Sequence, residues 1–387
     1  MLLLTATMRA RVLSAAVVVV TVLLLTAFLA AAQHRGARPD GNYVPQRLPD
    51  WHLTGAGADA RRTMMLERAA WRLPPGEAAS LTADSPSLDS FASGVRDCRF
   101  INDPPSGTTA KFNCVLNGGA VIKVKYGSNP EIQGEVAATR LLRALGFPAD
   151  EVAIIPHLRC YGCPRDPFVT VVAGNWTYTR ELLGPAGFDN GYTDFEWVAI
   201  ERRIPLPAIE TDDKKGWAWW EVRNATNHRA DLDALRLLAV FLAHWDNKSE
   251  NQRLVCLDER SPDPAADCAR PLAMIQDLGA TFGPTKVNIG RWSTLAVWQD
   301  RPTCRVSMRA LPWHGGTFPD AQITEAGRRQ LADSLQSLTD GDLRDLFRAA
   351  RFAEFQTATD DERDLDQWIG VFKDRVDQIV EGGPCPY

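Results

Sequence analysis

The order of three elements between Ala230 and Gly279 constrains this chain most: a helix, a polar loop, then a short strand. Apolar residues recur at helical spacing from Ala230 to His244 and run directly into His244-Trp245-Asp246-Asn247-Lys248-Ser249-Glu250-Asn251. Downstream, Pro271 to Gln276 has the composition of a strand, and Asp277-Leu278-Gly279 follows at once. A fold that buries this helix and strand leaves two carboxylates, an amide and an amine at their ends. An Asp at a strand end is well placed to hold a metal. Taken singly, each string also fits a bland role, the first as a solvated helix cap and the second as a turn.

The residues before Ala230 add two further pieces. Lys111 to Leu116 and Ala120 to Tyr126 alternate like strands around the turn residues Asn117-Gly118-Gly119, a hairpin pattern. The second strand carries Lys123 and Lys125 on one face. The spacing of Ile132, Val136, Leu141, Leu142 and Leu145 predicts a helix over Pro130 to Gly146, stopped by Gly146 with Pro148 beyond. Within it Glu135 lies in the helix body, whereas Glu131 sits at the start, where the helix dipole alone favours an acid. The loop Asp103-Pro104-Pro105-Ser106-Gly107-Thr108-Thr109 lies between candidate strands. Its Ser106, Gly107 and Thr108 could cradle phosphates through backbone N–H and hydroxyl groups, although it has a single glycine.

Ahead of these pieces stands an apolar stretch from Val12 to Ala32, preceded by Arg9 and Arg11. Residues 1–33 read as an export segment. Its length suits an uncleaved anchor, and its Ala30-Ala31-Ala32 ending also suits a signal-peptidase site. All eight cysteines follow it, which predicts disulfides in an extracytoplasmic, oxidising compartment: periplasm in a bacterium, Golgi lumen or extracellular space in a eukaryote. Proximity along the chain suggests Cys98 with Cys114, Cys160 with Cys163, Cys256 with Cys268 and Cys304 with Cys385. Residues 34–94, rich in Pro, Gly, Ala and Asp, read as a stalk or wrapping arm with one helix around Ala58 to Trp71. A net charge of −5 and the lack of a basic run with interleaved aromatics disfavour nucleic acid as a partner.

In that order, the lysine strand, the glutamate helix, the His-x-Asp-x-Lys-x-Glu-Asn loop and Asp-Leu-Gly resemble the protein-kinase-like superfamily. The likeness runs from about Cys98 to Phe282 and includes the atypical branches, among them lipid kinases and secretory-pathway kinases. The export segment and cysteines are closest in character to the secretory-pathway branch. The resemblance implies an α+β, two-lobed fold over residues 95–387. It has a small β-rich N-lobe over about 95–205 and a mainly helical C-lobe over about 206–387, with helices at Thr324–Leu338, Gly341–Phe352 and Asp361–Val380. It also implies ATP with Mg or Mn and transfer to a hydroxyl of a protein, lipid or sugar. Asp246 would take the proton of that hydroxyl and Lys248 would balance charge on the transferred phosphoryl. Asn251 and Asp277 would bind metal, and Lys123 or Lys125, paired with Glu135, would hold phosphates. The Val-Ala-Ile-Lys register favours Lys123, while Lys125 lies closer to the following turn.

The departures narrow the expectation. Trp245 stands where regulated kinases carry an arginine, so no control by a phosphorylated activation loop is expected. No Ala-Pro-Glu follows Asp277. About thirty residues separate Asp246 from Asp277, longer than usual, and a hairpin tied by Cys256 and Cys268 would account for the excess. From Lys286 onward the resemblance supplies nothing. A pseudokinase-type binding module and an AMP transferase would use the same residues. A thiol-disulfide enzyme would use Cys160-Tyr161-Gly162-Cys163, although a structural disulfide is the stronger reading. Asn175, Asn224 and Asn247 each begin a glycosylation sequon, and His157, His228 and His314 have no metal-ligand spacing.

Overall fold

The computed structural model describes residues 51–74, 76–77, 81, 87–103, 107–169, 191–223, 226–258, 267–311, 317–355 and 357–386. The apolar segment Val12–Ala32, Ser106, Asn175, Asn224 and His314 lie outside them. Among the described residues no helix is long and apolar enough to cross a membrane. The elements are mixed α and β. Strands are β1 (Trp51–His52), β2 (Val95–Ile101), β3 (Lys111–Leu116), β4 (Val121–Lys125), β5 (Glu151–Tyr161), β6 (Tyr192–Arg202), β7 (Ile209–Glu210), β8 (Gln252–Cys256), β9 (Pro271–Ile275), β10 (Arg305–Ser307) and β11 (Asp320–Gln322). Helices are α1 (Ala58–Glu67), α2 (Glu131–Ala144), α3 (Arg229–Leu242), α4 (Ile289–Thr294), α5 (Glu325–Gln336), α6 (Asp340–Ala349), α7 (Asp360–Arg363) and α8 (Leu365–Val380).

Two compact units divide the described chain at 94/95, 123/124, 156/157 and 196/197, so that β4, β5 and β6 each run through a boundary. Lys125 and all of α2 therefore belong to the larger unit, and Lys123 to the smaller.

In the smaller unit β2 pairs antiparallel with β3, with Cys98 opposite Leu116 and Phe100 opposite Cys114. On its other side β2 runs parallel to the end of β5, Val95 against His157 and Cys98 against Cys160. The strands close in the order β2-β3-β4-β6-β5. Phe112 packs against Phe100 at 6.1 Å and Phe195 at 5.0 Å between ring centres. Cys98–Cys114 ties β2 to β3, and Cys160–Cys163 closes the end of β5. Both sulfurs of the latter pair are buried, so Cys160-Tyr161-Gly162-Cys163 is a structural bridge, and the thiol-disulfide reading falls away.

The larger unit gathers around α3, which is buried on every side from Leu232 to Leu242 and packs against α5. An aromatic cluster of Phe241, Phe282, Trp292, Phe347, Trp368 and Phe372 fills the space below it. The segment 34–94 contributes where it is described: Trp51, Leu53, Met65, Leu66 and Trp71 are core residues of this unit, and β1 runs parallel to β7. The expected helix over Asp361–Val380 is two helices. Thr359 caps α7 and Asp364 caps α8, and each cap requires extended backbone that interrupts the helix. The β8–β9 hairpin is antiparallel from Gln252 opposite Ile275 to Cys256 opposite Pro271, and Cys256–Cys268 ties its loop end. Cys304–Cys385 fastens the C-terminus. All four disulfides join the pairs expected from proximity.

Candidate functional site

The hairpin explains how residues far apart in sequence come together. Its disulfide closes one end, so the residue before β8 and those after β9 emerge side by side at the other. The backbone N–H of Gln276 donates to the carbonyl of Asn251 at 2.8 Å, which sets Asn251 beside the strand that delivers Asp277. Gln276 also donates its side chain to Asp150 at 3.0 Å. Asp150 is buried, and burial raises its carboxyl above the usual carboxylate range, opposed chiefly by the Arg253 guanidinium.

Lys125, at the end of β4, reaches Glu135 Oε1 at 2.6 Å and Asp277 Oδ1 at 3.2 Å. The lysine and Glu135 side chains are nearly inaccessible, at 4% and 2%, whereas Asp277 keeps 36% of its surface open. Burial alone would lower the Lys125 ammonium. The carboxylates of Glu135, Asp277 and Glu201 outweigh it and hold the group raised, so it is fully charged. Lys123 is half-buried in the smaller unit, and the ion pair with Glu135 belongs to Lys125.

Glu135 can approach because the residue before it is Gly134. An added Cβ there would stand 3.0 Å from the carbonyl oxygen of Gly279, 3.0 Å from Val287 Cγ2 and 3.1 Å from Thr281 Oγ1. Helix α2 thus packs backbone to backbone on the Asp-Leu-Gly segment. A glycine inside a helix is usually a cost, and here it buys contact.

The polar loop is held by its own amides. Asn251 Nδ2 donates to the carbonyl of Asp246 at 2.7 Å, so its Oδ1 is the atom that could hold a metal. Asn247 is fully buried and donates to the carbonyl of His244 at 2.8 Å, and Gln252 donates to that of Asn247 at 2.6 Å. A buried Asn247 is unsuited to glycosylation, so that sequon is structural. Lys248 Nζ stands 3.4 Å from Asp246 Oδ1, with both side chains partly open to solvent. His244 is buried, and desolvation pushes its imidazole down to about 4 against the pull of the Asp277 backbone and carboxylate. It is a neutral strut behind Asp277, whose φ of 45° is a left-handed conformation that needs such support. Trp245 packs against the core.

Three groups cap the end of α3 just before this loop. Phe282 N–H donates to the carbonyl of Leu242 at 2.8 Å, Trp292 donates to that of Phe241 at 2.8 Å, and Arg375 donates to those of Phe241 and Val240 at 3.1 and 3.2 Å. Arg375 and Gly134 carry no signal in the sequence beyond being a charge and a glycine on otherwise apolar helix faces.

In the phosphate-cradle loop, Gly107 and Thr108 are exposed in the smaller unit, with Gly107 at a φ of 89°. Lys111 Nζ would stand 2.9 Å from a Cβ placed on Gly107.

Asp277 and the Asn251 amide oxygen form an all-oxygen donor set on one hairpin end, which suits a hard divalent cation such as Mg or Mn. The fixed ammonium of Lys125 beside Asp277 suits the phosphates that such a cation would carry.

No protein-family model and no curated protein matches this sequence. Among solved structures, the chain is similar to the Helicobacter pylori proinflammatory kinase CtkA, at 10% identity over 74% of this chain and 96% of that one, with a TM-score of 0.39. It is also similar to Golgi casein kinase, at 10% identity over 89% and 94%, with a TM-score of 0.36. A Golgi casein kinase with Mn/ADP bound gives 11% identity over 80% and 76%, with a TM-score of 0.35.

Proposed function

We propose that this protein is an ATP- and divalent-metal-dependent phosphotransferase, an exported or membrane-anchored atypical kinase that acts on a hydroxyl. The observation that carries the reading is the buried Lys125–Glu135 pair joined to the partly open Asp277, with Asn251 delivered to the same hairpin end. A structural ion pair needs no third carboxylate left facing solvent. Lys125 would bind the phosphates of ATP, with Glu135 fixing its position. Asn251 and Asp277 would hold Mg or Mn, which when bound neutralises charge on the transferring phosphoryl. Asp246 would accept the proton of the acceptor hydroxyl, and Lys248, beside it, would balance charge on the phosphoryl oxygens. His244 keeps Asp277 aimed by remaining neutral. The export segment and four disulfides support an extracytoplasmic location.

The test is thermal stabilisation of the full chain by ATP with Mn or Mg, followed by label transfer. Metal-dependent stabilisation that Asp277→Ala abolishes supports the reading. Label moving from the γ-phosphate to an acceptor establishes a kinase, and label moving only from the α-phosphate establishes AMP transfer. Stabilisation without transfer on any acceptor would establish a binding module.

A further inference from the structure

Beside the second half of the catalytic loop the larger unit has a cleft of about 350 Å³. Ser249 and Glu250 form one wall, next in sequence to Lys248. Asp212, Asp213, Lys214, Lys215 and Trp220 form much of the other.

The two walls are fixed on one another. Gly216, at a φ of 62°, lets the outer wall lie directly on the loop, and an added Cβ would collide with the carbonyl oxygens of Ser249 and Gln252. Arg62, fully buried, donates to the Gly216 carbonyl and pairs with Glu221 at 2.7 Å. The N–H of Ala218 donates to Glu221 at 2.9 Å, and the indole of Trp217 donates to the Met274 carbonyl in β9 at 3.1 Å. Thr211 and Lys214 close the turn with bonds of 3.0 and 3.1 Å. On this rigid wall Trp217 and Trp219 are buried, while Trp220 is 70% exposed. Its ring lies 6.0 Å from Lys214 Nζ.

The lining chooses among acceptors. The cleft is lined by both carboxylates (Asp212, Asp213, Glu221, Glu250) and cations (Arg62, Lys214, Lys215), so it offers hydrogen-bond donors and acceptors without a field of one sign. That disfavours a peptide rich in one charge, and the scarcity of apolar side chains disfavours a lipid tail. A sugar ring fits both features. Its C–H face can lie on an open indole, and its hydroxyls can bond to the surrounding carboxylates and ammonium groups.

We infer that this cleft is the acceptor subsite and that it takes a carbohydrate, a conclusion that rests on the phosphotransferase reading. The sugar oxygen forms a bond to the γ-phosphorus of ATP as the bond to the β,γ-bridging oxygen breaks. ADP leaves with that electron pair, and the hydroxyl proton passes to the Asp246 carboxylate.

The experiment is saturation-transfer NMR on the full chain with cellotetraose, xylotetraose, maltotetraose and mannotetraose, with an acidic and a basic peptide alongside. The expected result is transfer to at least one sugar, weakened by ~10-fold or more in affinity in Trp220→Ala and retained in Trp220→Phe. Both variants should keep the wild-type melting temperature, since the indole is exposed. Transfer to no sugar, to a peptide alone, or unchanged in Trp220→Ala overturns the proposal. Sugar binding in a wild-type protein that ATP and Mn do not stabilise overturns the kinase reading and, with it, the acceptor role, leaving a carbohydrate-binding cleft.

Discussion

Lys125 and Glu135 meet at 2.6 Å with almost no access to water, on a strand end and a helix body that sequence separates. Removing one partner strands the other charge in a dry site. Lys125→Met should cost about 3–5 kcal/mol of stability, and Glu135→Gln a similar amount. Denaturant titration would measure both. The raised Lys125 ammonium sets the pH dependence: its contribution is fully present below the unfolded lysine value of about 10.4 and is lost only as pH climbs through the higher folded value. Between pH 6 and 9 this pair should give a flat stability profile.

Asp277 keeps an open face and should matter more to ligand than to fold. Asp277→Ala should leave the free protein folded, since Lys125 keeps Glu135 as partner, and abolish stabilisation by Mn with ATP. At a ligand concentration about 100 times Kd, that lost stabilisation is about 2.7 kcal/mol. Asn251→Ala should lose the metal effect as well, and should also lower the free protein's stability, because its amide holds the Asp246 carbonyl.

His244 gives an acid limb. Its folded pKa of about 4 lies below the ordinary value of 6.5, so the unfolded chain binds the proton first. Its contribution is complete above pH 6.5 and is lost as pH falls toward 4, amounting to about 3 kcal/mol in total. The difference in stability between wild type and His244→Gln, followed from pH 7 to pH 4, should shrink by that order.

Gly134→Ala separates propensity from packing. Alanine favours a helix by up to about 1 kcal/mol, but its methyl would press on the Gly279 carbonyl and on Val287. The variant should be destabilised by roughly 1–3 kcal/mol net and should bind Mn with ATP more weakly, by chemical denaturation and thermal shift respectively.

Much of this was legible in the sequence because it is local. The hairpin of β3 and β4, helices α2 and α3, and the disulfides follow from turn residues, apolar spacing and chain proximity. The tie between Cys256 and Cys268 accounts for the long interval before Asp277, as the spacing suggested. What was not legible depends on long-range packing. Lys123 and Lys125 share a strand face, and only the position of α2 makes Lys125 the partner of Glu135. The arm before Val95 has the composition of a linker, yet Trp51, Met65 and Trp71 find a core at distant residues. Asn247 matches a sequon by letters and is buried by the loop that surrounds it. Arg375 and Gly134 are unremarkable letters until the carbonyls they face are known.

The β8–β9 hairpin has a further consequence. Because Asn251 and Asp277 leave its open end while Cys256–Cys268 clamps the other, the length of chain between the two cysteines is uncoupled from the spacing of Asn251 and Asp277. Loop closure grows only slowly more costly with length, about 0.6 kcal/mol per doubling. An insertion between Cys256 and Cys268 should therefore leave the bond from the Gln276 N–H to the Asn251 carbonyl in place, and thermal stabilisation by ATP with Mn unchanged.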